Sequence, residues 1–339
     1  MRRFYCDCGQ EIFLENRLCM RCHKLVAYSV SAAAMVTLVA AGDAWEIKSQ
    51  NKLVKHCANR EGYDVCNIVL DISDTHALCS VCRLNRTIPD LAKPENRLRW
   101  SKLEQAKRRL LIGLMDLHLP LEAPVRGYSR GLCFDFLEDQ RSNSDVAQKF
   151  ITTGHRDGVI TINILEADDV QRVWQREHVG ERYRTLLGHM RHEVGHYYFE
   201  LIVSDREGFG QIFGDVDTAY EKALKNYYAR GPLPGWEQSH ISAYASAHPA
   251  EDWAECFAHY LHMADTLETA TAHRLIEQFS EQGDFEQLLL LWDRFSASLN
   301  EVNRSLGLSD AYPFVITPIV KNKLRFIHSA IARYVGLQL

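Results

Sequence analysis

Hydrophobic residues recur with a helical period through most of the second half of the chain. Between residues 180 and 191, Tyr183, Leu186, Leu187 and Met190 lie close to that period, and the apolar side continues through residue 202. Further helices are predicted at 98–114, 214–231, 249–263, 283–299 and after Thr317-Pro318, a pair that is typical of a helix start. Helices therefore dominate the predicted structure beyond residue 97.

Three shorter apolar stretches do not have the helical period. Residues 131–139 and 157–168 are bounded by glycines and are predicted to be strands. The run at 32–41 is far shorter than the roughly 20 residues that cross a bilayer, so we expect a buried strand or a short helix. The segment at 86–97 holds two prolines and mixed charge, and we place a domain boundary there, between residues 92 and 93.

The predicted helix around residue 190 carries the sequence His192-Glu193-Val194-Gly195-His196. Residues four apart lie about one turn apart on one face, so both imidazoles can bind one metal ion while Glu193 reaches its water molecule. This HExxH pattern is typical of catalytic zinc sites. Helices with two histidines and no catalysis also exist, so the surrounding sequence has to supply a third ligand.

The best candidate for the third ligand lies in the helix at 249–263, which Pro249 opens. Glu251 and Glu255 are four residues apart on it. One carboxylate can bind zinc while the other accepts the free ring N–H of a liganding histidine. We assign Glu251 to the metal and Glu255 to the histidine; solvated charges on a helix face are the alternative.

Eight of the ten cysteines lie in the first 82 residues and predict two structural zinc sites, because four thiolates close a tetrahedral site. The predicted ligands are Cys6, Cys8, Cys19 and Cys22 in the first group and Cys57, Cys66, Cys79 and Cys82 in the second. Disulfides are the alternative, but the first ten residues contain no apolar segment that would direct secretion. In the second group His56 is an alternative ligand. Cys133 and Cys256 are expected to be buried apolar residues.

Composition and charge fit a folded cytoplasmic protein. The chain has 339 residues, of which 46% are hydrophobic and 24% charged, enough for a sizeable core. The net charge is −5, although the first 110 residues hold 18 Lys and Arg against 12 Asp and Glu. Zinc-bound thiolates would remove most of that basic surplus. Nucleic-acid binding is therefore possible but not demanded, and no membrane partner is predicted.

The order of these motifs resembles the gluzincin metallopeptidases, in which HExxH is followed by a distant helix with Glu-x-x-x-Glu/Asp. The cysteine-rich start and the following strings are similar to a bacterial family of zinc-binding metallopeptidases with an N-terminal zinc-ribbon region: LCSVCRLNRTIPDLAKPENRLRW, GHRDGVITINILEADD, YRTLLGHMRHEVGHYYFE and HPAEDWAECFAHYLHMADTLETA. The resemblance implies an α+β fold, with a zinc-ribbon region at 1–92 and a mainly helical zincin-like metallopeptidase domain with a small β-sheet at 93–339. It also implies Glu251 as the ligand and Glu255 as its partner, but no particular substrate.

The predicted function is hydrolysis of peptide bonds in a peptide or protein substrate, with one catalytic and two structural Zn²⁺ ions. The two histidines and Glu251 leave a fourth position for water, from which Glu193 takes a proton and passes it to the leaving amine. Tyr244, in the loop before the second helix, is the candidate donor to the oxyanion, with His248 as runner-up and ordinary packing as the alternative.

In zinc peptidases of this class an edge strand beside the zinc helix binds the substrate main chain. Val159–Asn163 is the candidate for that edge, and an interior strand is the alternative.

Two other functions fit parts of the pattern. The first is a zinc-ribbon adaptor with a vestigial HExxH site, although a vestigial site has no chemical reason to retain Glu193. The second is a peptidase that acts on DNA-bound proteins, for which Trp100 beside Arg97 and Arg99 is a candidate stacking platform. The basic residues of the helix at 98–114 form either a patch for an anionic polymer or, more commonly, a solvated face.

Overall fold

A hairpin, a closed barrel, a four-stranded sheet and several helices make up residues 2–121, 131–168, 185–277 and 283–336, which the computed structural model describes. The hairpin consists of β1 (Phe4–Tyr5) and β2 (Glu11–Ile12). The barrel consists of β3 (Leu25–Ser29), β4 (Ala34–Ala41), β5 (Ala44–Ile47), β6 (Lys52–His56) and β7 (Ile68–Asp71), with the short helix α1 (Ala58–Glu61) before its last strand.

The barrel closes because β3 pairs antiparallel with β4 on one side and parallel with β7 on the other. Its interior is small and apolar, formed by Ala27, Val36, Leu38, Ile47, Val54 and Val69. The apolar run at 32–41 thus contains the buried strand β4, one of the two forms that its sequence allowed. Among the described helices, none has the length and apolar character needed to cross a membrane.

The four-stranded sheet joins strands that are far apart in sequence. Along the sheet the order is β10 (Gly154–Arg156), β11 (Val159–Asn163), β9 (Cys133–Leu137) and β8 (Asn85–Thr87). Strand β11 pairs antiparallel with β10 and parallel with β9, so it is an interior strand. The prediction of Val159–Asn163 as an edge is therefore wrong, because the hairpin strand β10 covers its free side.

Strand β8 precedes the predicted domain boundary and yet belongs to this sheet. It runs parallel to β9, and Arg86 on β8 donates to the buried carboxylate of Asp135 on β9 at 2.9 Å. The chain on the N-terminal side of residue 92 therefore contributes to the sheet of the second region. The division into 1–92 and 93–339 stays a prediction.

The helices that follow confirm the predicted α+β class, with cysteine clusters first and a mainly helical region after them. They are α2 (Pro94–Asp116), α3 (Leu186–Ile202), α4 (Arg206–Phe213), α5 (Tyr220–Arg230), α6 (Pro249–Ala272), α7 (Phe285–Ser305) and α8 (Pro318–Tyr334). The predicted start of α8 is confirmed, since Thr317 Oγ1 accepts the N–H of Val320 at 3.3 Å. Helix α5 begins at Tyr220 rather than at 214, because the residues before it form a turn around Asp215. Residues 180–184 of the predicted zinc helix lie outside the described residues.

Helices α3 and α6 pack very closely. A Cβ atom added at Gly195 would lie 3.0 Å from Cα of Ala254. The indole N–H of Trp253 donates to the carbonyl of Gly195 at 2.8 Å, and the rings of Phe199 and Phe257 pack against Trp253. The glycine between the two histidines thus lets the backbone of α6 approach the motif.

Most basic residues of α2 have partners within the protein, which argues against a patch for an anionic polymer; Arg97 is exposed, as a solvated helix face predicts. Lys107 is fully buried and donates to Glu104 at 3.0 Å, and Arg108 donates to the carbonyl of Val65 at 3.1 Å. The remaining contacts are Arg99 with Asp168, Lys102 with the carbonyl of Ala167, and Arg109 with Glu15. Trp100 is also fully buried and donates to Glu104, so it cannot stack on a nucleobase.

Candidate metal centres

The two histidines of α3 and Glu251 of α6 converge on one point. His192 Nε2 lies 3.0 Å from Glu251 Oε2 and 3.2 Å from His196 Nε2, which in turn lies 3.6 Å from the same carboxylate oxygen. A tetrahedral zinc ion with bonds of about 2.0–2.1 Å has ligand–ligand edges of about 3.3 Å. The structure thus brings together the three residues that the sequence predicts as ligands, at spacings that suit zinc.

The hydrogen bonds around this triad show that it fits a cation. His192 Nδ1 lies 2.6 Å from Glu255 Oε1, and donation of this ring N–H leaves a lone pair on Nε2 of the neutral ring. Glu251 Oε2 is buried and has no hydrogen-bond partner among the described residues. With both imidazoles neutral, as metal ligands are, three lone pairs would point to one place, an arrangement that is favourable only around a positive charge.

Electrostatics support the same conclusion. Burial lowers the pKa of His192, but Glu251 and Glu255 outweigh it and raise the pKa well above its ordinary value. Burial raises the pKa of Glu251, but His196 and His192 outweigh it and hold the pKa of that carboxyl well below its usual range. The centre therefore keeps carboxylates ionised in a buried place and stabilises positive charge between them.

Hydroxyl groups hold the outer oxygens of both glutamates. Ser242 Oγ donates to Glu255 Oε2 at 2.6 Å, and the Tyr220 hydroxyl donates to Glu251 Oε1. Sequence reasoning missed Ser242 and Tyr220, because only the tertiary fold places them beside α6. Glu255 occupies the position beside the His192 ring that the sequence predicted, while the roles of Glu251 and Glu255 toward a metal stay predictions.

Glu193 is held by a histidine that sequence reasoning also missed. His189 Nε2 lies 3.2 Å from Glu193 Oε1, and its Nδ1 lies 2.6 Å from Glu166 Oε2. Burial lowers the pKa of His189, but the two carboxylates raise it to about 10. Burial raises the pKa of Glu193, but His189 and His192 outweigh it, so the carboxyl is ionised at neutral pH. The four-residue spacing of His189 and Glu193 is the sequence signal that could have predicted this contact.

The two candidate oxyanion donors occupy different places. Tyr244 opens a short 3-10 turn, Tyr244–Ala247, and its ring centre lies 5.8 Å from that of His192. His248 is buried and caps α6: its Nδ1 accepts the N–H of Ala250 at 3.1 Å, and its Nε2 lies 3.0 Å from Thr218 Oγ1. Because both nitrogens of His248 have these partners, Tyr244 is the better placed of the two candidates, and its role as a donor, with ordinary packing as the alternative, stays a prediction.

A cavity of about 510 Å³ opens beside the centre, within the range of roughly 300–1,000 Å³ that is usual for ligand sites. The residues that line it include the buried side chains of His192, Glu193 and Glu255 as well as Tyr244. The predicted base and the candidate oxyanion donor thus face one space that is large enough for part of a peptide.

The eight predicted cysteine ligands form two groups of four, and within each group all Sγ atoms lie within 4.8 Å of one another. Zinc–thiolate bonds of about 2.3 Å imply sulfur–sulfur edges of about 3.8 Å, far longer than the roughly 2.05 Å of a disulfide. The Sγ–Sγ distances are 3.5 Å for Cys6 and Cys22, 3.6 Å for Cys8 and Cys19, and 3.8 Å for Cys66 and Cys79. The cysteines are free of disulfides, and His56 lies against the Trp45 ring instead of joining the second group.

Backbone donors favour thiolates in the second group. The N–H groups of Cys79 and Ile68 point to Cys57 Sγ and Cys66 Sγ, each at 3.4 Å. Donors of this kind stabilise negative charge on sulfur, as zinc ligation requires. Cys133 and Cys256 are buried, as expected, and belong to neither group.

Comparison with known proteins now places the chain in a family. The family model described as "Putative zinc-binding metallo-peptidase" matches residues 96–330, and one for a zinc-ribbon domain matches residues 3–93. The chain belongs to this metallo-peptidase family. Uncharacterized proteins from Mycobacterium tuberculosis and Mycobacterium bovis are 38% identical to it over 343 residues, which cover 98% of this chain and 95% of each relative. No solved structure matches the chain.

Family membership confirms the predicted resemblance to a family of zinc-binding metallopeptidases with an N-terminal zinc-ribbon region, while the likeness to the gluzincins stays a prediction. Together with the two cysteine clusters, family membership also supports zinc as the metal that the protein binds.

Proposed function

We propose that the protein is a zinc-dependent peptidase whose catalytic zinc is held by His192, His196 and Glu251. The observation that carries this proposal is the convergence of their donor atoms, 3.0–3.6 Å apart, beside an ionised Glu193 that faces a cavity. A bound zinc ion supplies a Lewis acid that acidifies water and polarises a carbonyl group. Two further zinc ions occupy the cysteine groups and have a structural role.

In this proposal Glu193 is the general base. Its carboxylate is ionised and lines the cavity, where it can accept a proton from water. His189 fixes the orientation of this carboxylate through the 3.2 Å contact. The same carboxyl group then returns the proton to the leaving amine.

Tyr244 is the proposed donor to the oxygen of the carbonyl under attack. Burial raises the pKa of Tyr244, and the negative charge of Glu251 raises it further, so the phenol keeps its proton. A protonated phenol that faces the cavity can donate a hydrogen bond to developing negative charge.

A vestigial site with an adaptor function is the weaker candidate. Glu193 keeps a dedicated ion pair with His189, and both histidines and Glu251 are oriented toward a common point. A site without chemistry has no use for an oriented base. Nucleic-acid binding by the ribbons stays a prediction, now without the support of Trp100.

The test compares the wild type with Glu193→Gln on fluorogenic peptides and denatured proteins. We expect Glu193→Gln to retain its zinc and to lose activity by about 10²–10⁴-fold, since general-base catalysis contributes about that much. Zinc content by elemental analysis is the control that both proteins carry the same metal. Equal activity of the two proteins would exclude Glu193 as the base.

A further inference from the structure

Aromatic side chains form a large part of the cavity wall. Together with polar residues such as Thr152, Glu237 and His240, the cavity is lined by Tyr227, Tyr228, Trp236, Tyr244 and Phe314. These aromatic side chains come from three separate parts of the chain: the end of α5, the segment before α6 and the segment between α7 and α8. Aromatic side chains offer a large apolar contact area with little loss of conformational entropy. The wall is therefore suited to an apolar partner.

Apolar side chains at the mouth of the cavity are open to solvent. Tyr228 is 68% exposed and Val315 is 74% exposed, and both line the cavity. Apolar residues that cluster around a concave site on a protein surface mark a binding site more often than isolated ones do. The mouth thus continues the apolar wall outward.

The charged residues of the cavity disfavour an acidic occupant. Among the described residues that line it there is no lysine or arginine, while Glu193, Glu237 and Glu255 are present. His189 also lines the cavity, but its two ring nitrogens already contact Glu166 and Glu193, so a carboxylate that enters loses its hydration without gaining a Lys or Arg partner. The cavity therefore discriminates against aspartate and glutamate side chains.

A group that binds in the cavity lies next to the candidate catalytic centre. The buried residues Glu193 and His192 line the cavity, and so does the exposed residue Val315, so it reaches from the candidate centre to the surface. We propose that the cavity binds a large apolar side chain, preferably aromatic, of a peptide substrate, beside the bond to be cleaved. This inference rests on the proposed peptidase function and adds the substrate class to it.

The test uses an exposed residue, so that folding is not at risk. Val315→Asp places a negative charge at the mouth, and Val302→Asp is its matched control, because Val302 on α7 is also exposed, at 55%, and does not line the cavity. Both changes are made in the full-length, zinc-loaded Glu193→Gln protein. Binding of fluorescein-labelled peptides that differ only in one Phe, Leu, Lys or Asp is measured by anisotropy, with that residue placed at each position in turn.

We expect the best Phe peptide to bind at least about tenfold more tightly than its Asp counterpart, a difference that is typical of apolar pockets. Val315→Asp should weaken binding of the Phe peptide by about tenfold, and Val302→Asp should leave it unchanged. Equal affinities for Phe and Asp peptides, no binding by any peptide, or equal effects of the two Val→Asp changes would overturn the proposed pocket.

The same peptides offered to the zinc-loaded wild type separate this inference from the proposed function. Selective binding without any turnover that depends on Glu193 would keep the pocket and reject the peptidase. Turnover that depends on Glu193 but ignores the varied side chain would keep the peptidase and reject the pocket.

Discussion

Two glutamates of α6 contact the two ring nitrogens of His192. Glu251 presents Oε2 to His192 Nε2 at 3.0 Å, and Glu255 presents Oε1 to His192 Nδ1 at 2.6 Å. The Nδ1 contact fixes the tautomer, and the tautomer leaves Nε2 free to bind a metal. Identical residue types thus have different contacts because of their place along α6, and the proposed function gives them different roles toward zinc.

Conservative changes of the two glutamates should therefore have different effects on zinc. Glu251→Gln removes a charged ligand and should cost most of the catalytic zinc together with the activity. Glu255→Gln should weaken zinc affinity or activity by about 10–100-fold, as loss of a partner that orients a ligand usually does. Zinc retention after brief treatment with a mild chelator distinguishes the two variants. If Glu255→Gln empties the site while Glu251→Gln stays filled, the two roles have to be exchanged.

The spacing of residues along a helix explains which parts of the site the sequence could predict. His192 and His196 share one face of α3, Glu193 directly follows His192, and Glu251 precedes Glu255 by one turn of α6, so local spacing suffices for these residues. Tyr220 and Ser242 depend on how separate segments fold over α6, and no local pattern encodes that. His189 lies one turn before Glu193, but its significance depends on Glu166, which only the fold brings within 2.6 Å.

At the scale of elements, the centre depends on the distance between α3 and α6. The histidines lie on one helix and Glu251 on the other, and the contact of Gly195 with Ala254 sets their separation. A larger side chain at this contact would push the helices apart and move Glu251 away from the two histidines. If these residues bind zinc as proposed, helix packing and metal binding are coupled at Gly195.

Gly195→Val should therefore destabilise the protein and weaken its catalytic zinc site. Overpacking of a tight interior contact costs about 1–3 kcal/mol, more than the helix propensity that is gained when glycine is replaced. The matched control is Gly113→Val on α2, where an added Cβ meets no atom within 4 Å. Thermal unfolding and zinc retention of both variants are the measurements. Equal behaviour of the two variants would show that the helices have room at Gly195.

The sequence predicts strands of the sheet but not their order within it. Val159–Asn163 was correctly placed as a strand, but its neighbours Cys133–Leu137 and Gly154–Arg156 decide whether it forms an edge. A strand that alternates apolar and polar residues looks the same in either place. The closed barrel of β3 to β7 could not be predicted for the same reason. Its closure depends on the parallel pairing of Tyr28 and Ser29 with Ile68 and Val69, which are distant in sequence.

At the scale of the whole molecule, the second cysteine group is joined to the helical region through α2. Arg108 on α2 donates to the carbonyl of Val65, the residue before Cys66, and the ring centres of Tyr63 and Trp100 lie 5.5 Å apart. Both Val65 and Trp100 belong to one continuous apolar core that also contains residues of α3 and α6. A zinc ion in this group would therefore stabilise the helical region as well as the segment that binds it.

The last prediction is that the purified protein contains three zinc ions per chain, which leave in a defined order. A mild chelator should remove the catalytic ion first, because that site has three protein ligands and an open position, whereas each cysteine group is closed. Cys66→Ser should lower the zinc content by one ion and the unfolding temperature of the whole chain, because zinc binding contributes directly to folding. Cys133→Ser is the matched control, a buried cysteine outside both groups that should keep all three ions. One zinc ion or none in the wild type, or an unfolding temperature that Cys66→Ser leaves unchanged, would reject the structural role of the second group.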